Sequence, residues 1–127
     1  MSELSAFDYA VLRVGPHVER EEFLNVGVIL FCRQRAFLGV RIRLESARLL
    51  ALAPRSEEAL VQLHLDQVRA VVEGRAEAGA LGQMSQSERF HWLTTPRSTT
   101  IQISPMHGGL CDDPQAALDD LFARLVA

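Results

Sequence analysis

The sequence predicts an α+β domain built on an antiparallel sheet. Three observations carry that reading. Strand-like runs follow one another between Phe7 and Leu44, an amphipathic helical pattern follows from Ser56 to Glu73, and a late strand and helix close the chain. The links between the first three strands are too short for parallel crossovers, so they make a three-strand meander.

Phe7–Val14 (FDYAVLRV) alternates in polarity and is rich in aromatic and β-branched residues, the pattern of a strand. Gly15-Pro16 is read as its end. Residues 18–22 (VEREE) read as a solvated connection or bulge. Asn25–Cys32 (NVGVILFC) is almost continuously apolar, suiting a strand covered on both faces. Gly27 inside it signals a bulge or a close approach of another backbone. After a turn at Arg33-Gln34-Arg35, Phe37–Leu44 returns as the third strand.

SARLLALAPR is read as a connection. Ser56 then suits an N-cap, with Glu57 and Glu58 in the first turn and Gly74 as the stop. At about 100° per residue, Leu60, Val61, Leu65, Val68, Val71 and Val72 share one apolar face. The Gly- and Ala-rich residues 74–84 read as a flexible loop. Ser85 to Glu88 fits a capping box that opens a short helix with Phe90, Trp92 and Leu93, ending before Pro96. Thr99–Ser104 is the fourth strand, placed beside either the first or the third. Gly108-Gly109 reads as a turn, Asp113 as an N-cap and Pro114 as the first helical residue. The last helix buries Leu118, Leu121, Phe122 and Leu125. The result is one domain over 1–127: a sheet of about four strands, with two main helices and one short helix packed on one face.

Of the 127 residues, 48% are apolar, enough for a core, and the net charge of −3 gives no whole-chain attraction to nucleic acid. All 13 basic residues are Arg. That choice suits bidentate anion recognition, or it reflects coding bias. Cys32 and Cys111 lack zinc-finger spacing. The start, MSELSAFDY, lacks a signal-peptide pattern, and no apolar run approaches about 18 residues. A cytoplasmic protein with reduced thiols and no membrane partner is expected.

Two stretches carry candidate chemistry. Arg97, Ser98 and Thr99 follow Pro96 and offer a guanidinium beside two hydroxyls, a corner for a phosphate or carboxylate. The structural alternative is an Arg97 ion pair with Glu22 or another acid. His17 and His107 would meet if their strands paired suitably, with Arg13, Glu19 or Asp113 nearby. No metal-ligand spacing supports a metal there, and no cofactor is expected. His64 falls on the helix's apolar face and reads as a core or interface histidine, and His91 lies between Phe90 and Trp92. Arg33, Arg35, Arg41 and Arg43 would make a basic strip along one hairpin, for RNA or an acidic protein surface, or a charged edge that discourages aggregation. There is no G-x-S-x-G elbow and no P-loop.

The blocks YAVLRVGPHVEREEFLNVGVILFC, RFHWLTTPRSTTIQISPMHGGL and DDPQAALDDLFARLV resemble the bacterial domain-of-unknown-function family numbered three-zero-three-seven. The likeness spans nearly the whole chain. It implies a set of retained residues: Tyr9, Arg13, Pro16, Glu19, Arg20, Glu22, Asn25, Gly27, Phe90, Pro96, Arg97, Ser98, His107 and Asp113. It implies no activity, cofactor or catalytic residue. It does imply gene neighbours of the HipA-like kinase kind, which suits an accessory or regulatory partner. The expectation is a non-catalytic binding module docked on another, kinase-like protein. The alternative is a phosphate- or nucleic-acid-handling protein or enzyme using Arg13, His17, Glu19, Arg20, Asn25, Arg97, Ser98, Thr99 and His107.

Overall fold

A computed structural model describes residues 3–17, 22–52, 58–96 and 101–127. The fold is α+β, with an antiparallel sheet of five strands. β1 (Ser5–His17) is its centre. β2 (Glu22–Cys32) pairs with one side of β1, and β3 (Phe37–Ile42) pairs with β2, completing the meander. On the other side of β1 lie β4 (Ile101–Ile103) and β5 (His107–Cys111), placed end to end. The late strand therefore joins the first strand, not the third.

Two expectations about this sheet need correction. Gly108-Gly109 is not a turn but the middle of β5, opposite Phe7 and Asp8. The reason is packing: a Cβ at Gly109 would come within 2.6 Å of the Phe7 ring, so the glycine permits a close approach. Likewise, Gly15-Pro16 does not end β1. The strand continues to His17, and the register against β2 shifts between Val14 and His17, an irregularity that tolerates a residue without an N–H. Between β4 and β5, Ser104 keeps the ladder closed. Its N–H donates to the Val11 carbonyl at 3.0 Å and its Oγ accepts from the Val11 N–H at 2.8 Å.

Gly27 does what its position in an apolar strand suggests. Leu12 pairs with Gly27 but Arg13 pairs with Asn25, so Val26 is an extra residue and β2 bulges. The bulge exchanges the two faces of β2. Beyond it, Ile29 and Phe31 join the larger core cluster while Val28, Leu30 and Cys32 join the smaller one. Before it, Leu24 and Val26 face the larger cluster.

Each face carries its own helical cover, where the sequence predicted one covered face. The larger cluster lies under α1 (Ser46–Leu52), α2 (Glu58–Glu73) and α3 (Gln86–Thr94), and the smaller under α4 (Pro114–Leu125). α1 replaces the predicted connection SARLLALAPR, with Leu49 buried in the core. The predicted loop at 74–84 is a 3-10 helix over Ala76–Gln83, kinked at Gly79. α2 stops as expected at Gly74, whose φ of 66° is the left-handed conformation glycine favours. Val61, Leu65, Val71 and Val72 are buried on α2, but Leu60 is 41% exposed. The predicted cap Ser56 lies outside the described residues.

Both remaining caps form as predicted. Ser85 Oγ accepts from the Glu88 N–H at 3.1 Å. Asp113 Oδ1 accepts from the Gln115 N–H at 3.0 Å and the Ala116 N–H at 3.4 Å. Asp113→Asn is expected to leave the melting temperature nearly unchanged, whereas Asp113→Ala costs about 0.5–2 kcal/mol. Equal melting by both variants would show that the side chain is not the cap.

Candidate functional site

A groove of about 770 Å³ lies on the outside of the helical layer. Leu63, Gln67, Ala70 and Val71 of α2 form one wall, Ala78 and Leu81 of the 3-10 helix another, and Trp92 of α3 the third. Residues 63, 67 and 70 are neighbours on a helix surface. They form a second stripe beside the one that faces the core. Past Gln67 and Trp92, a second hollow of about 370 Å³ is lined by Leu12, Leu93, Ile101 and Ile103, with His64 at its side. The two hollows share Gln67 and Trp92 as lining residues and are together called the furrow.

Local chemistry holds this furrow open. α2 ends with carbonyls that lack helical partners. Arg89 of α3 reaches back to them, donating from Nη1 to the Val71 carbonyl at 2.9 Å and the Val72 carbonyl at 2.7 Å. Its Nε donates to the Met84 carbonyl. One guanidinium thus ties α2, the turn after the 3-10 helix and α3 together. Gly82 lets the 3-10 helix fold back tightly, since a Cβ there would stand 2.6 Å from the Arg75 carbonyl. At the rim, Arg75 holds Glu73 at 2.6 Å and Glu77 at 3.3 Å. The hydrogen bond and charge of Glu73, helped by Glu77, raise the Arg75 pKa further above its ordinary value. Asp66 and Arg69 also line the groove, so it carries charges of both signs.

The residues singled out in the sequence are distributed elsewhere. Arg13 lies over the Phe23 ring at 4.2 Å, with its Nε buried and unpartnered. Its register partner Asn25 donates from Nδ2 to the Leu125 carbonyl at 3.1 Å, while Asn25 Oδ1 is buried without a partner. His107 is exposed on β5 and stacks against Tyr9 at 5.4 Å. His17 closes β1 eight residues beyond Tyr9, roughly 26 Å along the strand at its usual rise. The two histidines therefore stand well apart along β1 and do not converge. Glu19, Arg20, Arg97, Ser98 and Thr99 lie outside the described residues. Among the described residues, no group of three His, Cys, Asp or Glu side chains could hold a metal ion.

The hairpin arginines have separate partners. Arg33 donates to Ser87 Oγ at 3.2 Å, and Arg35 to Ser5 Oγ and the carbonyls of Glu3 and Asp112. Arg41 pairs with Asp119 at 3.1 Å and Arg43 with Glu45 at 2.9 Å. Two of the four charges are thus met by carboxylates. Cys32 and Cys111 are free and buried. Burial, and then the neighbouring Cys32, push the Cys111 thiol above its ordinary pKa, which makes it a poor nucleophile.

The furrow was missed in the sequence because Leu63 and Gln67 fall outside the core-facing stripe of α2. The available signal was Leu63, an apolar residue left over on a polar face. No described helix is long and apolar enough to cross a membrane. A family model described as Protein of unknown function (DUF3037) matches residues 9–126. No curated protein and no solved structure matches the chain.

Proposed function

We propose that this chain, which belongs to the DUF3037 family, is a non-catalytic module that docks on a partner protein through the furrow between α2, the 3-10 helix and α3. The observation that carries this reading is the furrow's lining. Aliphatic, amide and aromatic side chains line it together with charges of both signs. A lining that mixes apolar and aromatic side chains with polar and charged ones suits a protein interface. Leu63 is 54% and Trp92 36% exposed. A Trp beside an aliphatic wall is the kind of anchor that dominates binding energy.

A furrow serving catalysis would need a nucleophile and base or a concentrated charge. Here the rim guanidinium of Arg75 is already engaged by two carboxylates. The alternative, a phosphate- or nucleic-acid-handling protein, draws its support from Arg13 and Asn25, with their unpartnered buried Nε and Oδ1. Of its other described members, His107 pairs with Tyr9, four residues from Arg13 along β1, and His17 closes the same strand. The partner class that fits the family resemblance is a kinase-like protein, and regulation of that partner is the role that follows.

Affinity capture from cells with the wild-type chain and with Leu63→Asp as baits tests this reading. A protein retained by the wild type and by Leu110→Lys, a change at the far sheet edge, but lost from Leu63→Asp is the expected result. Identical retention by all three baits would refute docking at the furrow.

A further inference from the structure

We infer that two copies of this chain pair through β5, antiparallel about a two-fold axis at Gly109, joining their sheets into one. This surface is separate from the furrow, and the inference stands without it.

β5 has one open side. Val11 turns both its N–H and its C=O toward the β4–β5 side, where Ser104 takes them. Bonding direction alternates along an antiparallel strand. By that alternation Tyr9, Phe7 and Ser5 bond His107, Gly109 and Cys111, their register partners. Gly108 and Leu110 are then left with N–H and C=O groups directed outward from the sheet.

Sheet edges are ordinarily guarded by charge, proline or a bulge. The five residues of β5, HGGLC, contain no Asp, Glu, Lys, Arg or Pro. The opposite edge, β3, is packed by α2 and α4 and carries Arg41 paired with Asp119.

The open edge is complementary to itself. Centring the axis on Gly109 sets Gly108 against the partner's Leu110, and Leu110 against the partner's Gly108. Each of these two pairs exchanges both its bonds, roughly four across the interface. Leu110 is 66% exposed, the highest value among the exposed large apolar residues described. Gly108 has room above it, since a Cβ there would meet nothing closer than 3.6 Å. The leucine of each copy thus covers bare backbone on the other. Charge selects the direction. Antiparallel pairing brings the His107 end of one strand to the Asp112–Asp113 end of the other, whereas parallel pairing would set acid against acid.

Light scattering coupled to size-exclusion chromatography, on the full chain at micromolar concentrations, tests the inference. The wild type should elute at twice the 14.1 kDa chain mass. Leu110→Lys, a surface change that leaves the fold intact, should elute as a monomer, as should Gly108→Pro, which removes an outward N–H. Leu63→Asp should remain dimeric. A monomeric wild type would overturn the inference, and so would a dimer that survives Leu110→Lys.

Discussion

Phe122→Ala should lower the unfolding free energy by about 3–5 kcal/mol, the usual cost of emptying a core aromatic site. Phe122 is buried among Val28, Leu30, Cys32, Leu118 and Leu121. With Val126, these residues are the buried part of the smaller cluster, so the cavity would open within it. The Arg41 guanidinium also lies over the ring, 4.3 Å from its centroid, a contact worth about 0.5–1 kcal/mol where exposed. Its Asp119 partner remains in the variant, so Arg41 keeps its ion pair and the loss falls on packing. Urea denaturation measures the change. An unaltered midpoint would mean that α4 is not docked on this face of the sheet.

Gly27→Ala is the second large effect, expected at about 1–3 kcal/mol from overpacking. A Cβ at Gly27 would stand 2.8 Å from the Arg41 carbonyl and 3.0 Å from Leu12 Cδ1. The first neighbour is backbone in a paired strand and cannot rotate away. The second is a fully buried leucine at the centre of the larger cluster. Relief requires β2 and β3 to separate or the bulge at Val26 to move, and moving the bulge would exchange the faces of β2. Thermal unfolding of the variant checks this, and stability equal to wild type would show that the strands are less closely set.

The parts of the fold legible in the sequence are those with strong local signals. The alternation of Phe7–Val14, the apolar run to Cys32, the Gly74 stop and the Asp113-Pro114 cap each carry their own physical cause within a few residues. The errors have causes too. α1 spans only Ser46–Leu52, two turns at most, too short for a periodic pattern to stand out. Gly108-Gly109 carries a turn signal, and only the Phe7 ring, about 100 positions earlier in the chain, explains why it is a strand. The apolar run Asn25–Cys32 did signal a strand covered on both faces, but which helix covers which face was not legible, because the one-residue bulge at Val26 changes which residues face which layer. The site was legible least of all. Arg13 and Asn25 pair across β1 and β2, but the histidines diverge along β1. The furrow is assembled from α2, the 3-10 helix, α3, β1 and β4, whose meeting no local pattern announces.

The most direct test of docking at the furrow is calorimetric titration of the captured partner, once purified, into the wild-type chain and into Leu63→Asp and Trp92→Ala. Loss of a central interface anchor costs about 2 kcal/mol or more, so binding should weaken by roughly thirtyfold or more in each folded variant. Affinities equal to wild type in both would place the interface elsewhere on the molecule and contradict the proposed function.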